Sequence, residues 1–383
     1  MTAARWNIGV LPFQVGHRSM PSNDPLPNCL PFAVAVDDRT GMVVQCADRR
    51  VSRALSAAYR SGSQMGTPLS GAGVGSAQLA DVCAFVDEVC PNGSLSDLAV
   101  LEIGCGDGAL LERLAHRGAN VVGVEPGAAA AARARERRVE VHREPFRASR
   151  FAEQRFDLII HHTVLEHIER PLEFVAEQLR LLAPGGRIVC CVPDCAPALE
   201  HGDLSMLVHE HWSYFDAKTL IHLGAVAGAR TVTWRNATTE GVIYCSWERD
   251  PASVTSAPPR PPPYLERGRR ALRAVFEYVS HVLRAGVSLG IYCAARFVNY
   301  HGLLADALPA MCNVRWFDDD PALHGRFYPP IPIEVESRDA LLAHPVDELL
   351  IASWTFGEAL REQLAENSAL VGTRIRTFGD VLG

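Results

Sequence analysis

The sequence predicts an α/β protein with two units of parallel sheet, joined by a proline-rich linker and a helix. Three observations support this fold class. Short apolar runs alternate with helical patterns over residues 76–250, which is typical of βαβ units. The segment PASVTSAPPRPPP, residues 251–263, is too rich in proline for a helix or a central strand. Strand and helix patterns then alternate again up to residue 383. A chain of this length is long enough for separate domains.

Four regions follow in order. Residues 1–75 are rich in Pro, Gly and Ser, and we expect an irregular N-terminal module that acts as a substrate lid. Residues 76–250 form the central α/β domain, and residues 251–285 form the linker and a helix. Residues 286–383 are expected to form a second, Rossmann-like α/β domain. The helix after the linker either serves a dimer interface or braces the two domains, because apolar residues follow one face: Leu272, Val275, Phe276, Val279 and Val282.

Composition restricts the class of protein. The chain is 48% hydrophobic and 21% charged, as in soluble globular proteins. The net charge of -7 argues against a dedicated nucleic-acid binder. No apolar run reaches the roughly 18 residues of a membrane span, and MTAARWNIGVLPF lacks a signal-peptide core. We expect a cytoplasmic monomer or homodimer with no nucleic-acid or membrane partner.

The central domain begins with a candidate cofactor site. LAVLEIGCGDGALLERLAHRG reads as a strand, a glycine-rich turn and a helix. Gly104, Gly106 and Gly108 let the backbone turn sharply and approach a ligand. The next strand, NVVGVEPG, ends in Glu125, where an acid can accept hydrogen bonds from ribose hydroxyls. Together these features favour an adenosine-containing cofactor over an empty turn.

The motif around this turn separates two cofactor classes. A dinucleotide fingerprint would have glycine where Ala109 stands, so a nicotinamide-binding domain is the weaker alternative. E-I-G-C-G-D-G resembles the first motif of class I S-adenosylmethionine (SAM)-dependent methyltransferases, and the segment from RFDLIIHH to IVCCVPD resembles their fourth and fifth strands. This resemblance implies SAM as cofactor and an acid that orients the loop and the methionine end. Phe146 would stack on adenine or pack beside the sheet. The candidate cofactor residues are Glu102, Gly104, Cys105, Gly106, Gly108, Glu125 and Phe146.

The segment LVHEHWSYFD, residues 207–216, allows three interpretations. His209, Glu210 and His211 could bind a metal, although class I SAM chemistry needs none. The run could also be a polar turn packed by the aromatic residues that follow it. The third interpretation is an acid–base centre, because the pKa of histidine lies near neutrality.

The acid–base interpretation gains support from a closer resemblance. HEHWSYFD resembles a signature of the sugar C-methyltransferases of antibiotic biosynthesis, which methylate carbon in nucleotide-linked keto-deoxysugars. That family has an N-terminal zinc module, a central SAM domain and a C-terminal Rossmann-like domain that helps hold the nucleotide sugar. The resemblance implies that His211 is the base and that Glu210 orients it or binds substrate. It also implies that His167, in VLEHI, and Tyr59, in AYRSGS, contact substrate oxygens. The base would remove a proton beside a carbonyl, and the enolate would attack the sulfonium methyl.

The chain departs from that family at four places. In AVDDRTGMVVQ, Asp37 and Thr40 stand where zinc-binding thiolates belong, and we predict no zinc and no other metal. Val208 stands where the family has a catalytic tyrosine. The C-terminal glycine-rich turn is replaced by residues 293–299, CAARFVN, and Pro329-Pro330 replaces a Pro-Gly turn.

These departures leave the acceptor open. The favoured prediction is a SAM-dependent methyltransferase that methylates carbon beside a carbonyl of a small-molecule acceptor, in natural product biosynthesis. A first alternative is an O-, N- or S-methyltransferase of a compact metabolite, since such transfers depend mostly on alignment. A non-catalytic SAM-binding partner and a dehydrogenase represent other classes.

Overall fold

A computed structural model provides the coordinates. The described residues are 5–13, 27–46, 48–61, 69–70, 74–90, 93–238, 241–250, 252, 257–259, 263–305, 308, 311 and 313–382. The side chains of residues 59–61 and 74 lie outside this description.

The elements are named here in chain order within the described part of the chain. The strands are β1 (Arg5–Pro12), β2 (Cys29–Val36), β3 (Val43–Gln45), β4 (Ala99–Ile103), β5 (Asn120–Val124), β6 (Glu140–His142), β7 (Phe156–His162), β8 (Leu182–Pro193), β9 (Ser213–Tyr214), β10 (Ala229–Asn236), β11 (Val242–Arg249), β12 (Leu289–Tyr292), β13 (Arg315–Phe317), β14 (Val335–Glu336), β15 (Glu348–Ile351) and β16 (Arg374–Thr377). The helices are α1 (Arg49–Ser61), α2 (Val74–Val89), α3 (Ala109–Ala115), α4 (Ala128–Glu136), α5 (Pro171–Leu181), α6 (Ala196–His201), α7 (Ala217–Ala227), α8 (Tyr264–Arg284), α9 (Val298–Leu304), α10 (Arg338–Ala343), α11 (Gly357–Ala365) and α12 (Phe378–Leu382).

The central domain is built on a seven-stranded sheet with the order β10-β11-β8-β7-β4-β5-β6. The strands from β8 to β6 run parallel, while β11 lies antiparallel between β8 and β10. β7 and β8 carry the short apolar runs LII and IVCCV, because strands inside a parallel sheet are buried on both faces. The carboxyl ends of β4, β5 and β7 therefore meet at one edge, where the glycine turn and Glu125 follow.

The C-terminal domain contains a five-stranded parallel sheet with the order β14-β13-β12-β15-β16. β12 is first in the chain and central in the sheet. The strand order therefore reverses between β12 and β15, as in doubly wound folds. The α/β alternation predicted after the linker is present in this form.

The N-terminal module differs from its prediction. We expected an irregular segment, but its described residues form the antiparallel strands β1, β2 and β3, followed by α1. Alternation in β1 is short and interrupted by a bulge between Asn7 and Gly9, and β3 spans three residues. Such strands carry too little periodicity to be recognised without their partners.

One hydrophobic core joins all parts of the chain. The helix after the linker, α8, packs against α6, α9 and α12, which matches the bracing role among the two alternatives. No helix in the described ranges is long and apolar enough to cross a membrane. The core is shared by residues of the N-terminal module, the central domain, α8 and the C-terminal domain, among them Trp6, Leu11, Phe32, Leu204, Tyr214, Tyr264, Val275, Tyr300 and Trp316.

Candidate active site

The glycine turn after β4 combines tight packing with an open side. Gly104, Gly106 and Gly108 have φ angles of 72°, 54° and 78°, a region that costs other residues about 1–2 kcal/mol. A Cβ on Gly104 would lie 2.5 Å from Cγ2 of Val164, and one on Gly108 would lie 2.9 Å from Cβ of Ala134. A Cβ on Gly106 would meet nothing within 4 Å. Gly106 therefore marks the side of the turn on which a ligand has room.

Glu125, at the end of β5, binds the turn directly. Its carboxylate accepts hydrogen bonds from the backbone N–H of Gly106 at 3.0 Å and of Gly127 at 2.6 Å. Partial burial raises the pKa of this carboxyl, while the two amides oppose that shift. A carboxylate has about four acceptor positions, so two remain for ribose hydroxyls. The predicted role of Glu125 is compatible with these contacts.

Glu102 and Cys105 lie on the buried side of the turn. Glu102 is 2% exposed, and burial, then the charges of Asp107 and Glu125, raise the pKa of its carboxyl well above its ordinary value. Its Oε2 has no hydrogen-bond partner among the described residues. The Cys105 side chain packs in a small apolar cluster with Leu111, and burial raises the pKa of its thiol. The side chains of Glu102 and Cys105 therefore pack under the buried side of the glycine turn.

Phe146 is partly buried beside the central core. Its ring lies 5.6 Å from that of Phe174 in an edge-on arrangement and 6.4 Å from that of Phe151 in a stacked one. The ring packs against the core and also has an exposed part. The structure is therefore compatible both with packing beside the sheet and with stacking on adenine.

Two loops bring a histidine pair together. A short 3-10 helix, Leu165–His167, follows β7, and the segment before β9 carries Glu210 and His211. The ring centroids of His167 and His211 are 5.0 Å apart. Nδ1 of His167 lies 3.0 Å from the backbone oxygen of Glu210 and 3.8 Å from Oε2 of the same residue. Three of the four predicted catalytic residues thus meet.

The pair is connected to the cofactor turn through Val164. This residue immediately precedes the helix of His167, and its Cγ2 occupies the space that a side chain at Gly104 would need. The loop that carries His167 therefore packs against the glycine turn at this edge of the central sheet.

Burial keeps both imidazoles neutral near pH 7. It lowers the pKa of His167 to about 4, against a hydrogen bond to Glu210 that raises it. Burial, with a smaller effect of His167, lowers the pKa of His211 to about 3. The backbone oxygen of Glu210 can only accept, so the geometry assigns the His167 proton to Nδ1 and a lone pair to Nε2.

Glu166 belongs to the same cluster, and sequence reasoning missed it. It is 2% exposed, and burial raises the pKa of its carboxyl to about 8. Its Oε1 lies 3.9 Å from Nε2 of His167, and its Oε2 has no hydrogen-bond partner among the described residues. In the sequence, Glu166 was distinguished only by its position next to His167. An exposed glutamate could occupy the same position, so this adjacency did not predict its burial.

His209 does not join the cluster, so the metal interpretation of residues 209–211 was wrong in its choice of ligands. The His209 ring is buried between those of Phe13, at 5.4 Å, and Phe32, at 4.9 Å. Its Nε2 lies 3.3 Å from the backbone oxygen of Leu30. The segment runs between two modules, and His209 and His211 face different ones.

Two further predicted positions have different outcomes. Tyr59 lies in α1, but its side chain is outside the described part of the chain. Asp37 and Thr40, which replace zinc ligands, bind each other instead: Oδ1 of Asp37 accepts from Oγ1 of Thr40 at 2.6 Å and from its N–H at 2.8 Å. These contacts close the turn between β2 and β3.

Comparisons with known proteins agree on the central domain. Residues 76–233 match a family model described as a methyltransferase domain. The chain is 37% identical over 111 residues to a ubiquinone biosynthesis O-methyltransferase of Pseudomonas aeruginosa (strain UCBPP-PA14), a match that covers 27% of this chain and 47% of that protein. It is 33% identical over 117 residues to a protein of the same name from Maricaulis maris (strain MCS10), covering 27% of this chain and 46% of that protein. The matches span about half the length of these curated relatives.

Among solved structures, magnesium protoporphyrin IX methyltransferase from Synechocystis PCC 6803 with bound SAM is similar at a TM-score of 0.38 and 16% identity. That match covers 48% of this chain and 88% of the other. The family model confirms the predicted methyltransferase domain over residues 76–233, rather than a dehydrogenase domain.

Proposed function

Because residues 76–233 form a methyltransferase domain, we propose that the chain is a SAM-dependent methyltransferase of a small-molecule acceptor, and that the acceptor loses a proton at the histidine pair. The observation that carries this proposal is the 5.0 Å approach of His167 and His211, together with the packing of the His167 loop against the glycine turn through Val164. Both imidazoles are neutral near pH 7 and can accept a proton, and burial makes them weaker bases than a free histidine.

The cofactor half of the proposal rests on the turn. SAM would lie on the open side of Gly106, with its ribose hydroxyls donating to Glu125. The two amides that Glu125 accepts from would hold its carboxylate in place for that contact. Glu102 would support the loop and the methionine end from the buried side.

The favoured acceptor has an acidic carbon beside a carbonyl, as in a keto-sugar. His211 accepts the proton, and the electron pair of the C–H bond becomes an enolate. The enolate carbon attacks the sulfonium methyl, the carbon–sulfur bond breaks, and S-adenosylhomocysteine leaves. His167 contacts the acceptor oxygen, while Glu210 fixes the His167 tautomer through its backbone oxygen. The resemblance of HEHWSYFD to the sugar C-methyltransferases supports this acceptor and a role in natural product biosynthesis.

Methylation of a hydroxyl is the second candidate. The buried Val208 supplies no phenol to polarise a carbonyl, which weakens the enolate route. Two curated relatives carry the name O-methyltransferase. In this case His211 takes a hydroxyl proton, and the oxygen attacks the methyl group.

Isotope exchange separates these candidates. The full chain is incubated with S-adenosylhomocysteine and either a nucleotide-linked keto-deoxysugar or a compact hydroxylated compound in D₂O, and NMR follows the proton beside the carbonyl. The same acceptors are then assayed with SAM by mass spectrometry. Carbon methylation predicts His211-dependent exchange of the keto acceptor, at least tenfold slower in His211→Ala. The exposed His116→Ala serves as control and should exchange at the wild-type rate.

The other outcomes distinguish the remaining proposals. Transfer to a hydroxyl without exchange favours the second candidate. Cofactor binding with neither exchange nor transfer would identify a non-catalytic SAM-binding protein. The affinity for S-adenosylhomocysteine is measured by titration calorimetry. Glu125→Ala should weaken this binding at least tenfold, while Glu140→Ala, at an exposed residue, should not. Absence of binding by the unmodified chain would overturn the proposal.

A further inference from the structure

Three possible metal ligands converge at the histidine pair. One carboxylate oxygen of Glu166 and one ring nitrogen each of His167 and His211 all lie within 4.8 Å of one another. Oε1 of Glu166 and Nε2 of His167 are 3.9 Å apart. Ligands at about 2.0–2.1 Å from one Zn²⁺ are separated by roughly 3 to 3.5 Å. A closure of about half an ångström would bring this pair into that range.

His167 is already oriented as a metal ligand. Histidines that bind metals generally donate their second N–H to a carbonyl or a carboxylate. Nδ1 of His167 faces the backbone oxygen of Glu210 at 3.0 Å. This contact leaves the Nε2 lone pair directed toward the Glu166 side of the cluster.

Glu166 supplies an independent reason for a cation. Its carboxyl is almost completely buried, and Oε2 has no hydrogen-bond partner within the described ranges. A buried carboxylate is costly unless a cation or hydrogen-bond donors compensate for its lost hydration. A divalent cation bound to this carboxylate would supply that compensation.

We propose that Glu166, His167 and His211 bind one divalent cation of the Zn²⁺ or Co²⁺ class, and that its open positions hold an oxygen of the acceptor. Two imidazoles and one carboxylate suit such borderline cations and leave room for further ligands, as in catalytic metal sites. The sequence analysis predicted no metal, because the zinc-binding thiolates are replaced and class I SAM chemistry needs none. Glu166 was not among its candidate residues.

The acceptor part of this inference rests on the proposed function, whereas cation binding does not. A cation at this site would polarise an acceptor oxygen, a role that the side chain of Val208 cannot fill. It would also occupy the lone pair that His211 needs as a base. With the cation bound, His211 is a ligand rather than a base, so an acceptor hydroxyl on the cation, whose pKa the metal lowers, passes its proton to water. Without the cation, His211 is the base.

Cobalt absorption tests the site directly. Untagged full-length protein is stripped with a chelator and titrated with Co²⁺, while visible absorption follows coordination and Zn²⁺ competes in a second titration. We expect saturation at one cation per chain. Glu166→Gln, which keeps the shape of the side chain, and His211→Ala should each weaken the affinity at least tenfold. His116→Ala, at an exposed histidine, should leave it unchanged.

The contradicting results are equally specific. No saturable binding, or wild-type affinity in both Glu166→Gln and His211→Ala, would overturn the inference. S-adenosylhomocysteine affinity is measured on each variant, so that loss of cation binding is not confused with loss of the fold. Because this readout and the exchange assay do not involve the cation, failure of the metal site leaves the methyltransferase proposal testable on its own.

Discussion

Among residues, the three turn glycines perform different tasks. Gly104 and Gly108 are required by their neighbours, since added side chains would lie 2.5 Å and 2.9 Å from other side chains. Gly106 has only open space beside it. The φ of 54° by itself favours glycine, so the ligand side is marked by the open space together with the hydrogen bond from the Gly106 N–H to Glu125.

Substitution of Gly106 tests this explanation. Gly106→Ala should lose about 1–2 kcal/mol of unfolding free energy through its φ of 54°. It should also weaken S-adenosylhomocysteine binding at least tenfold, because the new methyl group enters the ligand space. Gly185→Ala is a matched control, with a φ of 78° and nothing within 4 Å of an added Cβ. Calorimetric titration should show wild-type affinity for the control, and equal affinities in both variants would place the cofactor elsewhere.

Residue identities in the cluster were predictable only in part. His211, Glu210 and His167 could be proposed because HEHWSYFD and VLEHI resemble known motifs. The participation of Glu166 could not, because it depends on near-complete burial beside His167. The neutral state of both imidazoles has the same origin, since burial lowers their pKa values.

At the scale of elements, the N-terminal sheet holds residues 207–216, the proposed catalytic segment. β9 pairs with β3, Val43 opposite Tyr214. The N–H of Gln45 donates to the backbone oxygen of Trp212 at 2.9 Å, and its side-chain amide donates to that of His209 at 3.1 Å. The sequence could not predict this pairing, because a two-residue strand has no periodicity and its partner is about 170 residues away.

Gln45→Ala should therefore disturb the site from a distance. It removes the donor to His209 and leaves a buried carbonyl unsatisfied, which costs about 1–3 kcal/mol. We expect a lower unfolding midpoint and methyl transfer reduced more than cofactor affinity. Gln178→Ala is the control, since its buried amide donates within its own helix, to Phe174 at 3.2 Å. If methyl transfer falls in both variants in proportion to their loss of unfolding free energy, β3 has no specific positioning role.

The turn after β12 keeps a glycine-like backbone without a glycine. Cys293 has a φ of 62°, and it lines a cavity of about 260 Å³ with Asp318, Asp319 and Phe356. Burial raises the pKa of Asp318, and Asp319 binds Arg338. Two carboxyl groups at this edge do not favour a phosphate, which agrees with a compact acceptor better than with a nucleotide-linked one.

Cys293→Gly should relieve this turn. Removal of the side chain recovers about 1–2 kcal/mol of left-handed strain, and the added flexibility of the unfolded chain offsets about 0.5–1 kcal/mol. We expect urea unfolding to show a gain of up to about 1 kcal/mol. Cys293→Ala removes the thiol but keeps the strain, so it should show no gain. A gain of the same size in both variants would assign the effect to the thiol.

In the whole molecule, the C-terminal domain holds the chain just before the catalytic segment. The side-chain amide of Asn299 donates to the backbone oxygens of Leu204 and Leu207, both at 2.7 Å. The hydroxyl of Tyr300 accepts from the N–H of Leu204 at 3.0 Å and donates to Asp203 at 3.2 Å. The two α/β units could be predicted from their alternating patterns. These hydrogen bonds could not, because they join residues about 95 positions apart in the sequence.

The shared core predicts that the chain unfolds as one unit. Trp6, Tyr214 and Trp316 come from three different parts of the chain and belong to one cluster, so exposure of one part removes the packing of the others. Differential scanning calorimetry should therefore show a single transition. Asn299→Ala removes the donor to the Leu207 carbonyl, at about 1–3 kcal/mol, while the Leu204 carbonyl still accepts from the N–H of Leu207 at 3.1 Å. The variant should move the whole transition down by several degrees without splitting it. Asn120→Ala, at an exposed side chain, should leave the midpoint within about one degree because surface substitutions cost little. Two resolved transitions, of which only the second responds to Asn299→Ala, would instead show that the C-terminal domain folds independently and does not position the catalytic segment.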